Sequence, residues 1–156
     1  MGNGRVFRCE KCNNGSILMV GVGAGFPDEY KEIIKDIKNG VYGENYKEKL
    51  LSRKDIAVDL ETNLYVCDKC GDWNVNYCFD FYIPKDKEDI DKISKEDFYI
   101  YPNELKERFE RIEQIVHYCD ECKNEMRKIV DINEDISLKC NICNSNMKEE
   151  GFMNWD

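Results

Sequence analysis

Residues 64–83 read LYVCDKCGDWNVNYCFDFYI, and two signals meet in them. Cys67 and Cys70 form a C-x-x-C pair closed by Gly71, and from Trp73 onward apolar residues alternate with more polar ones. Trp73, Val75, Tyr77, Phe79, Phe81 and Ile83 take one side of that alternation; Asn74, Asn76, Cys78, Asp80 and Tyr82 take the other. A period of two is that of a strand, whose successive side chains point to opposite faces. The pattern predicts one long strand over 73–83, with Cys78 on its less apolar face, leading away from a tight turn at 67–70.

The same pair occurs three more times, as Cys9/Cys12, Cys119/Cys122 and Cys140/Cys143, so eight of the nine cysteines in the 156 residues are paired and Cys78 stands alone. The opening MGNGRVFRCE lacks the basic and apolar regions of a secretory leader. No apolar run of about 18 residues is present to span a membrane. A cytosolic chain is therefore expected, and there C-x-x-C pairs serve as metal knuckles or redox motifs more often than as a disulfide framework. Two knuckles supply the four sulfurs of a tetrahedral Zn²⁺ site. The second cysteine of each pair is followed by CNNG, CG, CKN or CNSN, and a knuckle turn needs a residue at positive φ, where Gly is unstrained and Asn the next best.

These four knuckles with their flanking short strands resemble the zinc-ribbon group of folds, in which C-x-x-C knuckles sit at the tips of hairpins. The resemblance implies an α+β chain of two ribbon units, each of short antiparallel strands, and two Zn²⁺ per chain. Laying the halves side by side supports a repeat: VFRC9, SILMV and LYVC67 match VHYC119, MRKIV and SLKC140 in order. Seventeen residues separate Cys122 from Cys140, whereas 54 separate Cys12 from Cys67, so the first ribbon carries an insertion. In-order pairing follows from this reading: Cys9, Cys12, Cys67 and Cys70 around one metal; Cys119, Cys122, Cys140 and Cys143 around the other. Crossed pairing, such as Cys67/Cys70 with Cys119/Cys122, is the alternative.

The expected domains are a ribbon over 1–83 with a helical insertion at about 27–55, a charged linker and helix over 84–113, and a compact ribbon over 114–156. Within the insertion, Tyr30, Ile33, Ile34 and Ile37 recur at helical spacing between Pro27 and a stop at Gly40. A weaker helix spans 44–53, and strands are expected at 56–60 and 63–67. PKDKEDIDKISKED, residues 84–97, reads as a linker. After Pro102 a helical stripe of Leu105, Phe109, Ile112 and Val116 is supported by Glu104/Arg108 and Glu107/Arg111, charge pairs one turn apart.

Twenty-three basic against 32 acidic residues give a net charge of -9, and only the first 27 residues are net positive, through Arg5, Arg8 and Lys11. Phosphate backbones are held by clustered Lys and Arg, so nucleic acid is disfavoured as a partner. Gly21, Gly23 and Gly25 do not fit the spacing of a dinucleotide or P-loop motif and read as a turn into a helix. His117, the sole histidine, has no second histidine with which to build an open zinc site, and reads as a strand residue packed beside a knuckle.

The expected function is a non-enzymatic cytosolic zinc protein acting as a protein-interaction or regulatory module, without membrane attachment. Its contacts would come from the insertion, with Phe26, Tyr42 and Tyr46, and from Phe152, Met153 and Trp155 at the C-terminus. The alternatives are a nucleic-acid-binding ribbon protein and a rubredoxin-like iron electron carrier. Cys78 is outside all four pairs, so Cys78→Ser should leave the bound metal, measured by atomic emission, unchanged.

Overall fold

The computed structural model describes residues 2–131, 134 and 136–155. The chain is α+β and divides into two compact units. Residues 1–23, 61–77 and 116–156 form the first; residues 24–60 and 78–115 form the second. These boundaries are not the expected 1–83, 84–113 and 114–156. The segments carrying all four knuckles belong to one unit, and the helical insertion shares the other with the stretch expected to be a linker.

In the first unit, β1 (Gly2–Cys9) lies between β2 (Gly15–Val20) and β10 (Asn146–Trp155), and β9 (Leu138–Lys139) completes the sheet in the order β2-β1-β10-β9. The β1–β10 ladder is antiparallel and runs from Gly2↔Trp155 to Cys9↔Met147, with one irregularity between Val6 and Phe7. A second sheet, β5-β4-β8, is built from β4 (Thr62–Val66), β5 (Trp73–Tyr77) and β8 (Arg127–Lys128). Phe7, Leu18, Leu64, Val66, Leu138 and Met147 fill a common core with Cys9 and Cys140. Alternation along β4 sends Leu64 and Val66 into that core, while Tyr65 and Cys67 pack on the opposite side with Cys119 and Met126.

Close approach decides two glycines of β1. A Cβ on Gly2 would lie 2.3 Å from the Trp155 ring, and one on Gly4 would lie 2.8 Å from Met153 Cγ. Both long side chains of β10 occupy the space that a Cβ on the residue opposite would need.

The second unit contains α1 (Phe26–Lys38), α2 (Glu44–Leu51), α3 (Lys87–Ile93) and α4 (Pro102–Arg108) with a sheet β3-β6-β7. Its strands are Ala57–Val58, Phe81–Pro84 and Phe109–Glu113. The expected first helix is present, with Tyr30, Ile33 and Ile37 buried along its stripe. Tyr30 is 2% exposed, its hydroxyl accepts a hydrogen bond from Val58 N at 3.3 Å, and burial raises its pKa.

Three expectations are corrected. The strand over 73–83 is two strands, β5 and β6, in different sheets. Phe79 between them has φ of 61°, and Cys78, Phe79 and Asp80 are all buried, which ends the alternation of faces. Tyr42 and Tyr46 hold the Phe79 ring at centroid distances of 5.1 and 5.2 Å. Secondly, the helix through Leu105 stops at Arg108. Phe109 is extended (φ -119°, ψ 156°), because the following residues pair with β6. Arg108 still reaches Glu104 at 3.9 Å, but Arg111 contacts Asp80 rather than Glu107. Thirdly, the stretch 84–97 contains α3, anchored by buried Asp89, which accepts from Arg108 and from Lys92 at 3.1 Å. Burial alone would raise the Asp89 pKa; the two cations reverse the sign and lower it.

Ile37 is fully buried at the heart of the α1 stripe. Ile37→Ala should cost about 2 to 5 kcal/mol, the usual range for emptying such a site. The expected result is a lower urea midpoint with undiminished metal content.

Candidate metal centres

Each C-x-x-C pair forms the same local turn. The first cysteine donates its backbone N–H to the carbonyl five residues on: Cys9 to Asn14, Cys67 to Asp72, Cys119 to Asn124 and Cys140 to Ser145, at 2.8 to 2.9 Å. Its own carbonyl accepts from the residue after the second cysteine: Asn13, Gly71, Lys123 and Asn144, also at 2.8 to 2.9 Å. These four residues have φ between 58° and 79°, the left-handed conformation expected of the knuckle. Lys123 shows that the turn tolerates a residue other than Gly or Asn. Gly71 has a further constraint, since a Cβ there would meet the Lys139 side chain at 2.6 Å.

The knuckles combine in the crossed arrangement. Cys9, Cys12, Cys140 and Cys143 form one tetrad and Cys67, Cys70, Cys119 and Cys122 the other. The in-order pairing expected from the repeat is therefore incorrect. The reason is strand pairing: the β1–β10 ladder sets Cys9 opposite Met147, next to the 140–143 turn, while β4 pairs with β8 and sets Val66 opposite Arg127, next to the 119–122 turn. Trp73 Nε1 adds a hydrogen bond of 2.8 Å to the Lys139 carbonyl.

Sulfur contacts are 3.4 Å for Cys9–Cys143, 3.6 Å for Cys12–Cys140, 3.4 Å for Cys67–Cys122 and 3.5 Å for Cys70–Cys119. A disulfide would need about 2.05 Å, well short of these separations. Tetrahedral metal–sulfur bonds of about 2.3 Å place the sulfurs about 3.8 Å apart, so both tetrads fit a metal ion with only small adjustment. Cys78 is buried in the second unit and belongs to neither group.

Electrostatics points the same way. The Ser145 hydroxyl, then its backbone N–H, lowers Cys143 to about 6, and the Asn124 backbone N–H with its side-chain amide lowers Cys122 to about 6. Cys12 and Cys70 behave oppositely. The backbone N–H groups of Asn14 and Asp72 favour their thiolates, but desolvation and the neighbouring sulfurs push each up to about 12. One thiolate forms readily in each tetrad and another is resisted, as expected when four sulfurs crowd together with too little positive charge. A bound dication would supply that charge.

Asn124 Nδ2 lies 3.3 Å from Cys122 Sγ, Asn14 Nδ2 lies 3.8 Å from Cys140 Sγ, and Asp72 Oδ2 accepts from Cys119 Sγ at 3.5 Å. The sequence marked asparagines after the cysteines only as turn formers; Asn14 and Asn124 instead direct N–H groups at sulfur. His117 stacks on Tyr65 with ring centroids 3.9 Å apart, beside the second tetrad and outside its four sulfurs.

The other singled-out residues are dispersed. Arg5 is buried and its Nε donates to Glu149 at 3.0 Å, while Arg8 donates to Glu150 at 2.8 Å, so two members of the N-terminal basic cluster are already paired within the sheet. Phe26 is 1% exposed, stacked on Tyr101, which removes it from the expected contact surface. Phe152 and Met153 are exposed, and Trp155 is half-buried over Gly2. Among the described residues no helix is long and apolar enough to cross a membrane. No family model matches the chain, and no curated protein or solved structure is significantly similar to it.

The crossed pairing makes a sharp test possible. In reduced, metal-loaded protein, the double substitution Cys12→Ser with Cys143→Ser should remove one metal equivalent and leave the other. In-order pairing would damage both centres, and emission spectroscopy would then report neither metal.

Proposed function

We propose that the chain is a non-enzymatic zinc protein of a reducing, cytosolic compartment, in which two structural Cys₄ centres hold together a module for protein interaction or regulation. The observation that carries this reading is the closed character of both tetrads. Each combines four sulfurs from two knuckles, and a metal held by four protein thiolates has no open position at which to activate water or substrate. Zinc suits the site because it accepts four thiolates without a redox requirement. Each Zn²⁺ with its four thiolates would carry a net charge of about -2, adding to the chain's own -9.

Nucleic-acid binding loses support where its best cluster lies, since Arg5 and Arg8 are paired to Glu149 and Glu150. A filter-binding titration against salt tests that alternative: a slope reporting several released counterions at micromolar affinity would establish it. A rubredoxin-like iron carrier would be red as purified, whereas the zinc protein is colourless.

Two zinc ions per chain are expected, and their removal should unfold the first unit. Structural zinc contributes roughly 10 to 16 kcal/mol in small domains, as much as the whole stability of many folds. Hydrogen exchange should show residues 2–23, 61–77 and 116–131 losing protection on chelation. Acid should act likewise. Protons compete with the metal for the thiolates, so zinc release, followed with a chromophoric chelator, should increase as the pH falls.

A further inference from the structure

The second unit contains a groove of about 650 Å³ bounded by α1, α2, the turn after α2 and the segment that follows α3. Its volume falls within the range of ligand-binding clefts. Ile34, Leu50, Leu51 and Phe98 line it with apolar surface, and Leu51 is 57% exposed although it closes an amphipathic helix. Lys38, Lys54 and Lys95 bring ammonium groups to it from three different segments, and all three are exposed. Lys31 and Arg53 line it too, but they are bonded to Asp28 at 2.7 Å and to Asp55 at 2.6 Å. Glu96 is the one acid of the lining.

With Lys31 and Arg53 paired to Asp28 and Asp55, three exposed lysines remain against Glu96, the reverse of the sign balance of the chain as a whole, which carries -9. Lys38 also complements the C-terminal end of the α1 dipole, which accounts for one cation. Lys95 directly follows the C-cap Ser94 of α3 and Lys54 lies two residues beyond the C-cap Ser52 of α2, so the three lysines come to the groove from three separate helix ends. Ammonium groups gathered beside apolar surface repel one another unless anions come between them, and carboxylates offered by a partner would relieve that repulsion while its apolar side chains cover Ile34 and Leu51.

We infer that this groove binds an acidic peptide segment of a partner protein, one in which Glu or Asp alternates with large aliphatic residues. The inference rests on the protein-interaction reading above and names the chemistry of the partner. Charge complementarity selects an acidic occupant. The apolar lining selects one with apolar side chains, and its largely aliphatic character argues against single-stranded nucleic acid. Of its two rings, Tyr30 is 2% exposed and Phe98 is half-buried, edge-on to Tyr30 at 6.1 Å, so the lining offers no run of open rings for the stacking that such strands require.

The experiment uses zinc-loaded full-length protein and a short fluorescein-labelled peptide of alternating Glu and Leu, read by anisotropy. Saturable binding is expected at low salt with Kd of about 10 to 100 µM, weakened several-fold when salt shortens the Debye length. Replacing Glu by Gln in the peptide, or Leu by Ser, should each weaken binding about ten-fold. Lys38→Glu with Lys54→Glu should do the same at unchanged zinc content and thermal midpoint, and Lys54→Glu with Lys95→Glu serves as the second variant if the first folds poorly. Equal binding by wild type and variants overturns the assignment, as does displacement of the peptide by a DNA oligonucleotide or by phosphatidylglycerol vesicles at lower concentration. If wild type and variant capture the same partner equally well from an extract, the groove assignment falls while the interaction reading stands.

Discussion

The pairing of the first strand with the last governs the rest of the first unit. β1 and β10 meet along eight residues of β1, and that ladder sets the knuckle at 9–12 beside the knuckle at 140–143. Once these two are joined, the remaining pairs at 67–70 and 119–122 combine, so the centres are nested along the chain. A crosslink between distant segments restricts the unfolded chain more than one between neighbours, although the gain grows only slowly with loop length. A metal ion held by Cys9, Cys12, Cys140 and Cys143 would close the longer of the two loops that the tetrads define.

Nesting also explains how the second unit is carried. Its two pieces, 24–60 and 78–115, interrupt the first unit on either side of the 61–77 segment. The first unit cannot be completed until both pieces and the C-terminal strand have been made, because Cys140 and Cys143 come last. Two buried carboxylates of the second unit are bonded locally: Asp89 by Arg108 and Lys92, and Asp80 by Arg111 and the Ile115 N–H. Its stability derives from helices packed on a small sheet, with no cysteine tetrad in it.

The charges of the molecule follow this division of labour. Arg5 and Arg8, prominent in the sequence as a basic cluster, pair with Glu149 and Glu150 on the neighbouring strand and help fix the register of β10. Cross-strand pairs of opposite charge are a common means of stabilising a sheet. Lys38, Lys54 and Lys95 line the groove of the second unit bounded by α1 and α2.

Local chemistry was legible in the sequence. The eight paired cysteines, the positive-φ residue after each pair, the buried stripe of α1 and the α+β class all follow from interactions spanning a few residues. Tertiary structure alone decided which knuckles share a tetrad, because four near-identical turns can combine in more than one way and only the β1–β10 and β4–β8 ladders select among them. It likewise decided that 73–83 breaks at Phe79: alternation records which faces could be buried, and the break arises because β5 pairs with β4 while β6 pairs with β3 and β7. The helix expected through Val116 ended at Arg108 for the same reason, since residues 109–113 pair with β6 instead of continuing the helix. Periodicity is a property of neighbours along the chain, whereas strand partnership depends on residues far apart in it.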